Sequence, residues 1–386
     1  MTTAAISDHL RNSELGTLAR ALESQRTRSV DLVVPAQQLR VDQGHFVIEG
    51  TEPQITEDGV TTADGLYTPT LVGDEGVAAK LDIPVKYLRR LRCEHVDLYD
   101  KNVNGWLERS DKSYLLRMLR SDDETRNIVE GTAGVMRAFL SSSYRVIDNF
   151  DVLLAALAGL QQAGVATPKI SADLTDRRMV VRVQSTDVAA RAPELLKDYR
   201  SPFTGQTGAD NPIVWAGFEI ANSETGGGAF TITPRIVVEI CTNGMKMTRD
   251  AMREVHLGGR MDEGVVRWSE ATARKNLELV TSQTADAVAT FMDADYVQAK
   301  VAELERSAGA KVTDPQQTIA TVSKRLGFTQ DQQTSILSHF IRGADVSAGG
   351  VLHAITATAQ TLDDGDAAYD MESKAVAAME LAASIR

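Results

Sequence analysis

IVWAGFEIANSETGGGAFTITPRIVVEICTN, residues 213–243, holds two runs of β-branched and aromatic residues separated by Glu224-Thr-Gly-Gly-Gly228. Such residues suit a pleated, half-buried surface. Glycine at the joint tolerates the positive φ that a tight connection needs. The stretch therefore predicts a long antiparallel hairpin, and Asn243-Gly244 directly after it signals a second tight turn.

Upstream the same composition continues. SYLLRML (113–119), GVMRAFLS (134–141), YRVID (144–148), TPKISADLT (167–175) and RRMVVRVQS (177–185) all read as strands. One helix interrupts them, NFDVLLAALAGLQQAG (149–164), with Asp148 or Asn149 as its N-cap. Residues 71–110 read as three helical pieces, Pro84 sitting where a first turn accepts its fixed φ. Before them, 31–50 predicts strands joined at Asp42-Gln43-Gly44, 51–65 an acidic surface loop, and 1–28 a short helix or two.

Beyond the hairpin the pattern turns helical. Residues 263–309 predict one long helix or two, and shorter helices follow near 314–326, 330–342, 346–362 and 369–385. The fold class is therefore α+β: an antiparallel β core with packed helices, followed by a helical C-terminal region. The expected units are an N-terminal segment (1–65), an α+β core (66–262) and the helical region (263–386).

The 386 residues carry 41 basic against 53 acidic side chains, a net charge of −12. That excludes a uniformly cationic surface but not a local basic face. Acidic residues concentrate in 51–100, with 10 acidic and 5 basic, and in 351–386, with 6 and 2. The polar start MTTAAISDHLRNSEL, the absence of a long apolar run and two isolated cysteines, Cys93 and Cys241, predict a cytoplasmic, reduced protein away from membranes.

Catalytic signatures are thin. There is no nucleophile elbow and no phosphate loop, and GTAG (131–134) and TGGG (225–228) open no clear helix. The carboxylate groups Asp122-Asp123-Glu124, Asp293 with Asp295, and Asp363-Asp364 with Asp366 fit turns and helix caps better than a convergent acid–base site. Cys241 has one local candidate base, His256, and is more simply a small buried hydrophobe. Single scattered histidines make no zinc set. Neither a catalytic residue, a metal site nor a cofactor is expected.

VAAKLDIPVKYLRRL (77–91) scans like a helix-turn-helix whose second helix carries Lys86, Arg89, Arg90 and, just beyond, Arg92. The alternative is a helical hairpin with solvent-facing arginines and with Tyr87, Leu88 and Leu91 packed inward. The sheet segments are more suggestive. In RRMVVRVQS, Arg178, Val180, Arg182 and Gln184 share one face and Met179, Val181 and Val183 the other. Arg137 and Arg145 lie on neighbouring strand candidates, and Lys246, Arg249, Arg253 and Arg260 follow the Asn-Gly turn. These eight residues could track a phosphate backbone, since guanidinium groups bind phosphate bidentately. They could equally be a solvated face holding internal ion pairs with nearby Asp173, Asp176, Asp250 and Glu254.

Several phrases together resemble one family: RAFLSSSYRVIDNFDVL (137–153), VVEICTNGMKM (237–247) with HLGGR (256–260), LDIPVKYLRRL (81–91) with NVNGWL (102–107), and ITATAQTLDDGDAAYDMESKA (355–375). It is the domain-of-unknown-function 932 family of phage/plasmid-like proteins. The resemblance runs from about residue 70 to the end and supplies no catalytic residues. It implies a role in DNA replication, recombination or host takeover, in a bacterial cell or phage-infected host. The order of elements is also similar to that of single-strand annealing proteins, which assemble as rings. The expectation is a non-enzymatic protein that binds or anneals single-stranded DNA and forms a homo-oligomer. The alternative is an assembly or interaction protein without nucleic-acid affinity, its arginines structural and its acidic tail a solubilising one.

Overall fold

The computed structural model describes residues 9–52, 54–56, 59–121, 133–144, 146–164, 168–241, 244–254 and 270–385. The chain opens with β1 (Leu10–Ser13), α1 (Leu15–Arg28), β2 (Ser29–Pro35), β3 (Arg40–Asp42), β4 (His45–Ile48), β5 (Gln54–Thr56), β6 (Gly59–Thr61) and β7 (Gly65–Pro69). Three helices follow, α2 (Leu71–Leu81), α3 (Val85–Glu94) and α4 (Val96–Leu107), then β8 (Ser113–Arg120), β9 (Gly134–Ser141) and α5 (Asn149–Gln162). Next come β10 (Lys169–Leu174), β11 (Met179–Arg191), α6 (Pro193–Leu196), β12 (Ile213–Asn222), β13 (Phe230–Val238), β14 (Gly244–Lys246) and β15 (Met252–Glu254). The remainder is helical: α7 (Glu270–Phe291), α8 (Ala294–Ala308), α9 (Pro315–Leu326), α10 (Gln330–Gly343), α11 (Ala348–Gln360), α12 (Gly365–Ser373) and α13 (Ala375–Ser384).

The α+β class and the helical C-terminal region are as expected. The 213–243 hairpin forms as β12 and β13, paired from Val214↔Val238 to Ala221↔Thr231, and Gly226 in its loop takes φ +86°. It is the middle of the larger sheet, ordered β1-β10-β11-β12-β13-β14, with β15 also pairing β13. Strand alternation divides this sheet into two unlike faces. Leu174, Met179, Val181, Val183, Phe218, Ile220, Phe230 and Ile232 form an apolar face against Leu18 and Leu22 of α1, Val152 and Leu160 of α5, and Val280 and Val288 of α7. The opposite face is polar and carries the candidate site.

The smaller sheet runs β2-β8-β9-β7-β4-β3. Its pairs are antiparallel except β7 with β9. Phe46, Tyr67, Leu116, Met136 and Phe139 pack under α2–α4 through Val77, Leu88, Leu91, Tyr99 and Val103. Strands from residues 29–48 thus share a sheet with strands from 65–141. The boundary expected after residue 65 is corrected accordingly, because it cuts through a sheet, and the expected 66–262 core is divided between two sheets. Local composition misled there: the acidic stretch 51–65 resembles a linker but carries the small β5–β6 hairpin.

Other differences are local. YRVID does not form a strand over its described residues; Asp148 already accepts the first α5 backbone bond, from Val152 N at 3.0 Å. The 263–309 stretch breaks into α7 and α8, where the Asp293 carboxylate caps Tyr296 N. The 369–385 stretch breaks near Lys374 into α12 and α13. In the helical hairpin α2–α3, Leu88 and Leu91 point inward as expected, but Tyr87 is exposed. Its cations are largely engaged: Arg92 is buried 2.8 Å from Asp74, Arg89 reaches Glu75 at 3.0 Å and Arg90 reaches Glu94 at 2.8 Å.

The C-terminal helices build a third core around α11. Every residue from Ala348 to Ala359 is buried there, small Ala, Gly and Thr side chains letting α8, α10, α12 and α13 approach. Thr356 and Thr358 return their hydroxyls to carbonyls one turn back, satisfying polar atoms that water cannot reach. This core continues onto the sheet through Val214, Ala216, Ile236, Val238 and Met245.

Candidate functional site

The polar face of the larger sheet follows directly from register. Across one row, Ser171 of β10 pairs with Arg182 of β11, which pairs with Glu219 of β12, which pairs with Thr233 of β13. In the next row Lys169, Gln184, Gly217, Arg235 and Lys246 stand side by side across five strands. Alternation predicts such a row once the strands are aligned, and alignment is what the sequence alone lacked.

α12 lies over this face and its acidic side chains meet the cations. Glu372, 4 % exposed, has Oε2 at 3.4 Å from Lys246 Nζ and 3.8 Å from Arg182 Nε, with Oε1 at 3.8 Å from Arg235 Nη2. Lys246 Nζ also contacts Glu219 at 2.7 Å and sits 3.6 Å from the centre of the Tyr369 ring. Arg178 reaches Asp366 at 2.7 Å and Asp370 at 3.4 Å, and its Cζ lies 4.4 Å from the centre of the same Tyr369 ring. Asp173 holds Arg182 Nη1 and Arg11 Nη1 on one oxygen, each at 2.7 Å.

Electrostatics in this dry layer is set by competition between burial and pairing. Burial pushes the Glu372 carboxyl up, but Arg235, Lys246 and Arg182 outweigh it and hold it at about 2. Burial lowers Lys246, and Glu219 and Glu372 restore only part of that, leaving it below an ordinary lysine. Burial also works against charged Arg182, but Glu372, Glu219 and Asp173 more than offset it and its pKa is raised.

The eight expected cations therefore divide. Arg178, Arg182, Lys246, Arg249 and Arg253 do belong to this one region of the larger sheet. Arg249 is 73 % exposed and pairs with Glu380 of α13 at 2.7 Å. Arg253 is exposed on β15 opposite Thr231, without an ion pair among the described residues. Arg137 does not join them. It lies on β9 of the smaller sheet, 2 % exposed, 2.5 Å from Glu224. Arg145 and Arg260 lie outside the described residues, as do Asp122-Asp123-Glu124 and His256.

Arg137 instead belongs to a clasp between the two sheets. Arg117 of β8 bonds Asp31 at 2.9 Å and Asp148 at 2.7 Å, and the Glu224 carboxylate accepts from Asn149 N at 2.9 Å. Burial raises Glu224, but Arg137 and Arg117 bring it down to about 2. This group closes a small cavity of about 190 Å³ at the hairpin loop.

α12 does not cover the whole polar face, and a cleft remains on each side. One, of about 360 Å³, is lined by Arg178, Arg253 and Tyr369, by the hydroxyls of Ser223, Thr231, Thr233, Thr248 and Ser373, and by the backbone of Gly227 and Gly228. The other, of about 370 Å³, is lined by Arg11, Lys169, Arg182, Arg235 and Glu372 among others. Arg11, Arg235, Glu219, Tyr369 and Glu372 were not expected at the site. Arg235 and Glu219 were legible from alternation in TITPRIVV and WAGFEIAN, whereas nothing local marks Glu372.

Cys241 is buried within the C-terminal core, and Cys93 is exposed. Among the described residues no three His, Cys, Asp or Glu side chains converge to hold a metal ion, and no helix is long and apolar enough to cross a membrane. Comparison of the chain with protein-family models, with curated proteins and with solved structures finds no match in any of the three.

Proposed function

We propose that this is a non-catalytic DNA-transaction protein that binds single-stranded DNA through its phosphates. The phage or plasmid setting rests on the sequence phrases quoted above. The observation that carries the binding is the cleft of Arg178 and Arg253: an exposed guanidinium with no ion pair among the described residues beside a partly buried one, with five hydroxyls and glycine backbone around them. Hydroxyls, backbone N–H groups and arginines are the usual phosphate partners. Because α12 spans the middle of the face, a strand engages the rim and this cleft rather than running over the whole sheet.

Anisotropy with a labelled 5′-hydroxyl oligonucleotide tests it. Binding is expected at low salt, weakening steeply as salt rises through counterion release. Arg253→Glu, at an exposed position, is expected to weaken it about tenfold with the thermal midpoint unchanged. Absence of binding at low salt ends the proposal.

A second reading, an assembly protein without nucleic-acid affinity, is favoured by the internal pairing of Arg137, Arg178, Arg182 and Lys246. Mass photometry separates the two: a ring that forms without DNA and does not bind it supports assembly.

A further inference from the structure

The second cleft on the polar face differs from the first in charge and in floor. Arg11, Arg182, Arg235 and Lys246 stand against Asp173, Glu219 and Glu372, and Lys169 adds a fifth, exposed cation at the rim. Two positive charges are thus left without a carboxylate of their own. Arg178, with Asp366 and Asp370, opens into the other cleft and does not alter this balance.

Hydrogen bonding is incomplete in the same place. Arg182 Nη2 and Arg235 Nε are buried and donate to no acceptor among the described residues, while Arg182 Nε faces Glu219 Oε2 at 3.4 Å, an ion pair without a hydrogen bond's alignment. An unused buried donor costs about 1–3 kcal/mol, and more on a charged group, so native proteins seldom leave several together. The floor is open because Gly217 puts no side chain between Gln184 and Arg235 in the row. A Cβ there would also meet the Val183 carbonyl at 2.6 Å. Amide and hydroxyl groups from Asn12, Gln184, Gln360 and Ser171 complete the lining.

We infer that this cleft is a binding site for a phosphate monoester, with Arg182 and Arg235 as its buried anchors and Arg11 and Lys169 at its mouth. Two unmatched positive charges suit the dianion of a monoester better than the single charge of an internal phosphodiester. Planar guanidinium forks match its oxygens. A cleft stopped by α12 admits a terminal group and not a strand passing through. The monoester can be carried by a small molecule or by the 5′ end of a strand. The site does not depend on the proposed strand-binding cleft.

Calorimetry on the full chain at constant ionic strength tests it, with inorganic phosphate, a nucleoside 5′-monophosphate, and one oligonucleotide with and without its 5′-phosphate. Saturable binding of inorganic phosphate is expected. Lys169→Glu is expected to weaken it about fivefold; the position is exposed, so an unchanged thermal midpoint without ligand verifies the fold. Arg182→Lys, which keeps the charge but loses the fork, is expected to weaken it more. Tighter binding of the mononucleotide identifies a small-molecule carrier. A preference for the phosphorylated oligonucleotide that Lys169→Glu abolishes identifies a strand end. No saturable binding of phosphate, or equal binding by folded Lys169→Glu, overturns the inference. Arg253→Glu is expected to leave phosphate binding intact, so failure of strand binding and failure of this site read out separately.

Discussion

Glu372 is one carboxylate serving Arg182, Arg235 and Lys246, all within 7 % exposure. Removing its charge leaves three buried cations facing, among the described residues, Asp173 and Glu219. Breaking a buried ionic group from one side typically costs about 3–5 kcal/mol, because the partner charge stays buried. Glu372→Gln is expected to lower unfolding stability by about that much in urea titrations. Asp370→Asn, two residues earlier on the same helix, is expected to cost less than about 1 kcal/mol, because Asp370 is 60 % exposed and 3.4 Å from Arg178. Equal losses for the two variants would refute the account of Glu372 as the anchor of the layer. The sequence showed both halves of this arrangement, the arginines of RRMVVRVQS and the acidic C-terminal stretch. It did not show that they meet, because ion pairs between residues about 190 positions apart leave no local trace. The acidic tail expected to solubilise the protein is largely spent as an internal counter-charge.

At the scale of elements, α5 and α7 pack closely against each other beneath the larger sheet. Gly159 makes it possible: a Cβ there would lie 2.8 Å from Thr284 Cβ and 3.0 Å from the Thr281 carbonyl. Gly159→Ala is expected to destabilise by about 1–3 kcal/mol despite alanine's better helix propensity, since the overlap involves packed backbone and a buried threonine. Chemical denaturation measures it, and a stabilising outcome would show that the helices can separate at no cost. Element by element, β8, β9 and β12 lie within a residue or two of their expected ends, whereas β11 runs six residues past 185 and β13 stops five short of 243. Helix breaks were less so: Lys374 carries no breaker chemistry, and only the tertiary fit of α12 on the sheet separates it from α13. The partition into sheets was not legible at all, since β2 reaches β8 across three helices and β4 reaches β7 across the β5–β6 hairpin.

For the molecule as a whole, acid tests how the interior is charged. His353 of α11 is fully buried, stacked 4.0 Å from Tyr199, with Nε2 donating to the Leu195 carbonyl at 3.2 Å. Burial lowers its pKa to about 4 from an ordinary 6.5, the Leu195 contact opposing only in part. A depressed folded pKa means stability that is complete above pH 6.5 and lost as pH falls toward 4, by about 3 kcal/mol in all. Asp74 and Asp345, raised by burial to about 6, run the other way: their contribution is present below pH 3.8 and lost as pH rises through 6. The histidine's share is therefore read as a difference. Between pH 6.5 and 4 the wild type is expected to lose about 3 kcal/mol more than His353→Gln, in denaturant titrations at each pH. Parallel curves would show that His353 folds charged. Below pH 4.5 both proteins are expected to fall further as Glu224 and Glu372, held at about 2, take up protons.

The arrangement of α12 on the sheet also has a consequence in time. Arg178 and its partner Asp370 are 192 residues apart. At roughly 5–20 residues per second of synthesis, about 10–40 s separate the two on the ribosome. Through that interval the sheet's cations have strands to pair with but no helix above them. Until α12 arrives, Arg178, Arg182, Arg235 and Lys246 lack its carboxylates, although residues 1–350 as a whole carry a net charge of −8. Arrival of α12, rather than formation of the hairpin, is then the event that completes this ionic layer.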